Sequence, residues 1–270
     1  MKLIRRLLVA ALIILLVLVG VVLGVMIFDG LAGETSAVVT NVTYTSADGT
    51  PIGGYLARPE GAAEGEALPA VLMVHEWWGL NAEIAEMADK LAAEGYVVLA
   101  PDTYRGNLAT TVPGALLLRI SAPTERVNTD MQAAFDYLAA LPEVDAARIG
   151  VMGFCYGGGV ALRHAVENAA IAATINLYGD TIDDPAGFGA LDEMNTPVLG
   201  IFGAEDAQIP VTEVEAFEQA LGQTDIPHTV TIYPGVGHAF VYPESISAGG
   251  AAANAWAQIL AFFSEHLQAA

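Results

Sequence analysis

The chain has 270 residues, 54% of them hydrophobic, which is enough to bury the core of one large α/β domain. Ten Lys and Arg residues stand against 31 Asp and Glu residues, so the formal net charge is −21 at pH 7. This charge repels phosphate groups and excludes a nucleic-acid partner. The chain has one cysteine, which excludes an intramolecular disulfide and a zinc site built on two thiolates. No spacing of His and Cys residues indicates a metal site.

The N-terminal segment, residues 1–28, predicts one transmembrane helix. Lys2, Arg5 and Arg6 precede an uncharged apolar run from Leu7 to Phe28. As a helix this run is about 30 Å long and matches the hydrocarbon core of a bilayer. By the positive-inside rule the basic flank stays in the cytoplasm, so the rest of the chain is extracytoplasmic. The alternative is a cleaved signal peptide and a secreted protein, although the apolar run is longer than such peptides usually have.

The rest of the chain is interpreted as a short tether, residues 29–37, and one folded domain, residues 38–270. The first folded segment, residues 38–46, alternates apolar and polar side chains and predicts a strand. An Asp-Gly turn follows, and residues 52–57 predict a second strand. These features are typical of a β-hairpin, so we expect the sheet to begin with an antiparallel pair.

From residue 70 onward, apolar runs typical of buried strands alternate with segments at helical spacing. The predicted strands are 70–74, 96–100, 149–152, 172–177, 198–202 and 229–233. The predicted helices are 82–94, 125–140, 157–166, 211–221 and 251–266. Residues 107–123 are irregular in pattern, with room for one short helix. This alternation predicts a mostly parallel sheet with helices on both faces.

A short motif between a predicted strand and a predicted helix supplies a candidate nucleophile, Cys155. The motif is G-x-C-x-G, from Gly153 to Gly157, which is the nucleophile elbow of the α/β-hydrolase fold with cysteine in place of serine. The sharp turn lifts the central side chain above the sheet, and the two glycines let the strand and the helix approach each other. We expect the N-terminus of the following helix to favour thiolate over thiol. A buried structural cysteine is the alternative, but it does not explain the flanking glycines.

The candidate acid and base follow the nucleophile in the order that this fold uses. Asp206 lies in the loop after the predicted strand 198–202 and is the candidate acid, with Glu205 as the alternative. His238 lies in a glycine-bearing loop between the last predicted strand and the last predicted helix, and it is the candidate base. In this interpretation His238 takes the thiol proton and Asp206 orients the imidazole ring. Attack on a carbonyl then gives an acyl-cysteine, which water hydrolyses.

Four segments together resemble the dienelactone hydrolase (carboxymethylenebutenolidase-like) family, over about residues 40 to 268. They are the segment from His75 to Asn81, the segment from Gly95 to Tyr104, the elbow from Gly153 to Gly158, and the segment from Gly237 to Phe240. The resemblance implies a Cys-His-Asp triad, no cofactor, and a small ester or lactone as substrate. It also implies that Glu76 contacts the resting thiol and is shifted by substrate, so that the thiol can be deprotonated.

The resemblance implies further site residues. The backbone N–H groups of Trp77 and Tyr156 are the expected oxyanion hole. Trp78 and Tyr104 are candidate substrate-binding residues that could line the pocket. Arg119 is a third candidate, since the family uses arginine to hold a substrate carboxylate. The aromatic side chains fit plain core packing equally well, and Arg119 fits an ordinary surface position.

The sequence therefore predicts a membrane-anchored hydrolase that cleaves a small ester or lactone outside the cytoplasm. The anchor departs from the soluble, cytoplasmic pattern of the family, which argues against an intracellular pathway intermediate as substrate. A thioesterase or peptidase-like acyl hydrolase would use the same residues and remains an alternative. A non-catalytic, membrane-tethered binding protein of the same fold is a second alternative, but the chain keeps all the expected catalytic groups. No protein partner is indicated.

Overall fold

One mixed sheet of eight strands lies at the centre of the computed structural model, which describes residues 2–32, 35–61, 67–181, 191 and 193–268. In chain order the strands are β1 (Val42–Thr45), β2 (Pro51–Ala57), β3 (Leu68–Val74), β4 (Val97–Pro101), β5 (Val144–Phe154), β6 (Ala173–Leu177), β7 (Val198–Gly203) and β8 (His228–Tyr233). Their order across the sheet is β1-β2-β4-β3-β5-β6-β7-β8. The pairs β1–β2 and β2–β4 are antiparallel, and the other five are parallel. The predicted hairpin and the mostly parallel sheet are confirmed.

In the described parts of the chain, eight α-helices accompany these strands. They are α1 (Lys2–Ala32), α2 (Ala82–Ala92), α3 (Val112–Ile120), α4 (Thr124–Ala139), α5 (Tyr156–Glu167), α6 (Val211–Leu221), α7 (Pro243–Ala248) and α8 (Gly250–Phe263), followed by a π-helical turn, Ser264–Gln268. The irregular segment 107–123 contains the short helix α3. The helix α7 was not predicted from the sequence, and Gly249 separates it from α8 by adopting a φ of 88°. Only glycine adopts such a backbone readily.

Both faces of the sheet are covered by helices. Along β5, Gly150 faces Phe263 of α8 and Leu267 of the π-helical turn, and a Cβ at Gly150 would lie 3.0 Å from each. Gly153, three positions later, faces the opposite side, where it meets Gly157 of α5. Strand side chains alternate between the faces, so α8 and α5 pack on opposite sides. The strands β3, β4, β6 and β7 are consequently buried along their whole length.

The N-terminal helix α1 extends beyond the predicted end at Phe28. Its stretch Ile4–Gly24 has a mean hydropathy of 3.3 and none of it is buried, so it is long and apolar enough to cross a membrane, as a signal sequence also is. Residues 29–32 of the predicted tether continue the helix, and residues 33 and 34 lie outside the described residues. The remainder of the tether is folded onto the domain, since Thr35 forms a β-bridge with Asn107 and a 3₁₀ helix follows at Ser36–Val38.

Candidate active site

Cys155 occupies the turn between β5 and α5. Its backbone has φ 53° and ψ −119°, a conformation that L-residues rarely adopt and that costs of order 1–3 kcal/mol. The neighbouring glycines allow this turn, because a Cβ at Gly153 would lie 2.0 Å from the carbonyl oxygen of Gly157. A Cβ at Gly157 would lie 2.3 Å from the carbonyl oxygen of Val74. Close contact between the strand, the helix and the loop after β3 therefore holds the strained elbow in place.

The thiol of Cys155 is protonated at neutral pH. Burial, and next to it the charge of the Glu76 carboxylate, raises the pKa of the Cys155 thiol to about 12. The backbone N–H of Tyr156, at the start of α5, acts in the opposite direction and lowers this pKa. The helix N-terminus thus favours the thiolate as expected, but burial and the carboxylate outweigh it.

Among charged groups, the Glu76 carboxylate has the largest influence on the pKa of the Cys155 thiol. Burial, with a smaller contribution from the charge of Glu83, raises the pKa of Glu76 to about 7. The loop that carries Glu76 is fixed by His75, whose Nδ1–H donates to the Glu76 carbonyl oxygen at 2.6 Å. The Nε2 atom of His75 accepts from the backbone N–H of Thr103 at 3.2 Å. Burial lowers the pKa of His75, so this fully buried ring stays neutral and holds the loop through both nitrogens.

His238 and Asp206 form a hydrogen-bonded pair. The Nδ1–H of His238 donates to Asp206 Oδ2 at 2.7 Å. Asp206 is buried, and its other carboxylate oxygen accepts from the backbone N–H groups of Gln208 and Ile209, at 2.7 and 3.0 Å. Because Nδ1 of His238 carries the proton in this pair, Nε2 carries the lone pair. Within the described chain, this Nε2 atom has no hydrogen-bond partner. Glu205, the alternative acid, is exposed to solvent.

The parallel strands bring these groups to one edge of the sheet. Cys155 follows β5, Asp206 follows β7 and His238 follows β8, and the carboxyl ends of parallel neighbours meet at the same edge. Tyr178, directly after β6, lies between them. Its ring centroid is 5.3 Å from that of His238, in an edge-on contact, and its hydroxyl donates to the Val241 carbonyl oxygen at 3.1 Å.

The two predicted oxyanion donors belong to loops that contact each other. The start of α5 lies against the carbonyl groups of Val74 and His75, so the loop carrying Trp77 lies beside the residue that follows the nucleophile, Tyr156. Trp77 and Trp78 are both half-buried, and their rings meet edge to face with centroids 5.1 Å apart. The structure thus brings Trp77, Trp78 and Tyr156 to the same side of the sheet edge as the elbow.

Tyr104 and Arg119 are also near the elbow. The Tyr104 ring is buried, with its centroid 5.4 Å from that of Tyr156 and 5.0 Å from that of His75. Arg119, on α3, forms an ion pair with Asp180 at 2.6 Å. Arg119, Asp180 and Tyr156 line a cavity of about 130 Å³. The charge of Arg119 is also among the smaller influences that lower the pKa of the Cys155 thiol.

Comparison with known proteins assigns the chain to a family. The model of the dienelactone hydrolase family matches residues 52–267. The chain belongs to the dienelactone hydrolase family. As a member it is an α/β-hydrolase that acts on ester or lactone bonds, as predicted. The match begins within β2, after the helix α1 and the strand β1.

Individual members of the dienelactone hydrolase family cover most of this chain. A Salmonella typhimurium protein named "Putative carboxymethylenebutenolidase" is 30% identical over 247 residues, which are 85% of this chain and 88% of that protein. A Klebsiella pneumoniae crystal structure titled "Putative Dienelactone Hydrolase" is 29% identical with a TM-score of 0.72, over 83% of this chain and all of that one. A dienelactone hydrolase-like promiscuous phosphotriesterase from metagenomic libraries is 25% identical with a TM-score of 0.72, over 83% of this chain and 97% of that one.

Two residues at the site of this dienelactone hydrolase family member were not predicted from the sequence. Tyr178 adopts a φ of 39° and contacts His238, and Asp180 is the ion-pair partner of Arg119. Both residues follow β6, which lies between β5 and β7 in the sheet. Polar or aromatic residues directly after that predicted strand could therefore have been recognised as neighbours of the site. Among the described residues, no group of three or more His, Cys, Asp or Glu side chains is placed to hold a metal ion.

Proposed function

We propose that Cys155 is the nucleophile of this ester or lactone hydrolase, with His238 as its base and Asp206 as the group that orients the base. One observation carries the proposal, namely the hydrogen bond between half-buried His238 and buried Asp206 at the same sheet edge as a strained cysteine elbow. The unpartnered Nε2 of His238 supports it further, because a general base needs a free lone pair. The order nucleophile, acid, histidine along the chain agrees with this fold.

In the proposed reaction, substrate binding displaces the Glu76 carboxylate from the thiol. Because that carboxylate raises the pKa of the thiol, its removal lowers the pKa and allows His238 to take the proton. The sulfur bonds to the carbonyl carbon, and the backbone N–H groups of Trp77 and Tyr156 stabilise the oxyanion. The alcohol then leaves with the proton from His238, and the acyl-cysteine remains.

A water molecule completes the proposed cycle. His238 takes one proton from the water, whose oxygen bonds to the acyl carbon. The carbon–sulfur bond breaks, the carboxylic acid is released, and Cys155 recovers its proton. Trp78, Tyr104 and Arg119 are proposed to contact the substrate around this bond, and the ion pair with Asp180 orients Arg119 for such a role.

The activity test uses the full chain in detergent with an activated aryl ester. We expect Cys155→Ala to abolish hydrolysis, and Asp206→Asn to lower kcat by about 10³ to 10⁴, because the imidazole loses its orienting anion. Glu205→Gln is the matched control and should retain activity within about twofold, since an exposed charge contributes little. Comparable activity in Cys155→Ala would exclude the proposed nucleophile. Equal losses in the two acidic variants would exclude Asp206 as the specific partner.

We further propose that α1 remains attached and holds the catalytic domain against the extracytoplasmic membrane surface. The apolar length of α1 and its basic N-terminal flank support this location. Mass spectrometry of the purified protein should find an intact N-terminus, and protease added outside spheroplasts should digest the domain. A mature N-terminus near residue 32, or protection from external protease, would contradict the proposed arrangement.

A further inference from the structure

The chain is held to the catalytic domain immediately after α1. Only residues 33 and 34 separate the helix from Thr35, which forms a β-bridge with Asn107. The next residue, Ser36, is buried, and its hydroxyl donates to Asp102 Oδ2 at 2.5 Å. Its backbone N–H donates to the Gly106 carbonyl oxygen at 3.4 Å. Two intervening residues allow at most about 11 Å between the Cα atoms of Ala32 and Thr35, so the loop that these contacts reach, between β4 and α3, lies close to the end of the anchor.

The helix after that loop, α3, carries an exposed apolar stripe and contacts α1. Val112, Leu116 and Ile120 are spaced four residues apart, so they lie on one side of the helix, and Ile120 is 70% exposed. Outside α1, six large hydrophobic side chains of the described chain are exposed. These are Val38, Val112, Leu116, Leu117, Ile120 and Tyr242. Five of the six therefore belong to α3 or to the segment that follows the anchor.

The charge around this stripe differs from that of the rest of the molecule. Residues 103–124 contain two arginines, Arg105 and Arg119, and no Asp or Glu, in a chain with 31 acidic residues. A net charge of −21 would oppose contact with a membrane on most faces. This segment is therefore suited to approach lipid headgroups, and it is also the one beside the anchor.

The same helix borders the candidate active site. Arg119 of α3 pairs with Asp180, and Arg119 and Ala122 line the cavity of about 130 Å³ that Tyr156 also lines. Tyr156 follows Cys155 directly. A surface covering α3 would consequently lie next to this cavity, one residue along the chain from the thiol.

We propose that α3 lies in the membrane surface, with its stripe in the headgroup–acyl boundary, and that the substrate is an amphiphilic ester that reaches Cys155 from the bilayer. The proposal rests on the proposed function, since it needs both the anchor and the nucleophile. A helix with an apolar face and little charge on it binds such an interface through the apolar area it buries. The occupant of the stripe is therefore lipid, and a second copy of the chain is the competing occupant.

The first experiment measures the depth of α3 in lipid, independently of activity. In the full chain carrying Cys155→Ala, single cysteines are introduced by Leu116→Cys or Ile120→Cys and labelled with an environment-sensitive fluorophore. Glu215→Cys, on the exposed face of α6, is the matched control. The proteins are reconstituted in phosphatidylcholine vesicles that contain a spin-labelled phosphatidylcholine as quencher.

We expect strong quenching at both α3 positions and little at the α6 position. Quenching at α3 no greater than at α6 would overturn the proposal. A spectral shift at α3 that appears in lipid-free detergent and grows with protein concentration would also overturn it, because the stripe would then contact a second copy.

The second experiment tests the substrate route with the double variant Leu116→Gln plus Ile120→Gln. We expect its kcat/KM for a short, water-soluble aryl ester to stay within about twofold, since neither side chain contacts the reacting groups. Its rate on a long-chain aryl ester embedded in phosphatidylcholine vesicles should fall by about tenfold, because the polar side chains weaken interfacial docking. Ala216→Gln, on exposed α6, should leave both rates unchanged.

The outcomes separate this proposal from the proposed function. If the unmodified chain hydrolyses neither ester, the proposed function fails, and the quenching result still decides where α3 lies. If the short ester is hydrolysed and the double variant cleaves the embedded ester at the normal rate, the membrane route is wrong while the hydrolase assignment stands.

Discussion

At the scale of single residues, the candidate site is a set of groups whose protonation is controlled by burial. Cys155 and Glu76 interact as like charges when both are ionised, and each has a raised pKa. At neutral pH the thiol is neutral and Glu76 is close to its midpoint. A thiol in this state is protected from alkylation and oxidation, because the thiolate is the reactive form.

This view predicts that Glu76→Gln makes the thiol of Cys155 easier to deprotonate. Alkylation by iodoacetamide should reach its half-maximal rate at a lower pH, because removing the carboxylate lowers the pKa of Cys155 from about 12. Ester hydrolysis at neutral pH should not fall, since in the proposed reaction the displacement of Glu76 serves only to lower the pKa of the thiol. The pH profile of alkylation rates, measured on intact protein by mass spectrometry, tests the first effect.

Glu86→Gln is the control for this prediction, because Glu86 is exposed on α2. Its alkylation profile should coincide with that of the unmodified chain. An unchanged profile in Glu76→Gln would show that the two groups do not interact as the structure indicates.

At the scale of elements, adjacent strands explain why distant residues meet. The strands β5, β6, β7 and β8 are parallel neighbours, so the loops that follow them share one edge of the sheet. Tyr178, after β6, contacts the ring of His238. Its hydroxyl donates to the carbonyl oxygen of Val241, three residues after His238. We therefore regard Tyr178 as a positioning residue for the histidine loop.

Tyr178→Phe should keep the ring contact and remove the hydrogen bond to Val241. The loss should lower the free energy of unfolding by about 1 kcal/mol, as for a typical buried hydrogen bond. Because the His238 loop is held less firmly, kcat should fall several-fold with little change in KM. Denaturant unfolding and steady-state kinetics measure the two effects.

Tyr233→Phe is a matched control for Tyr178→Phe, since the Tyr233 hydroxyl bonds to Gln258 on α8 at 3.0 Å. It should reduce stability to a similar extent and leave kcat unchanged. Equal kcat losses in both variants would indicate a general effect of stability and would remove the positioning role.

At the scale of the whole molecule, folding and protonation are linked through Glu76. Burial raises its pKa from 4.5 to about 7, so between these values the folded chain holds a proton that the unfolded chain has released. The free energy of unfolding must therefore fall as the pH rises through this range. The contribution is about 2 to 3 kcal/mol, from roughly 1.4 kcal/mol for each unit of pKa difference.

Chemical denaturation of the detergent-solubilised chain at several pH values between 4.5 and 7 tests this linkage. Glu76→Gln should flatten the decline, because the amide does not titrate, and Glu86→Gln should leave it in place. If the decline is as steep in Glu76→Gln as in the unmodified chain, other groups produce it.

Local patterns in the sequence determined most of the architecture and the identity of the candidate groups. Apolar runs and helical spacing are properties of neighbouring residues, so the hairpin, most of the strands of the parallel sheet and most helices could be predicted from them. The G-x-C-x-G elbow is equally local, and the chain order of the fold then indicated Asp206 and His238. The short helix α7 was missed, because six residues between a proline and a glycine give little periodicity.

Only the tertiary structure decided the state and surroundings of these groups. The protonation of Cys155 and Glu76 depends on burial by segments distant in the chain, which no local pattern records. The contact of Tyr178 with His238 depends on strand order across the sheet. The attachment of Ser36 to Asp102, close to the contact between α1 and α3, joins residues 66 positions apart. Long-range packing sets these distances, and a linear pattern carries only the periodicity that makes such packing possible.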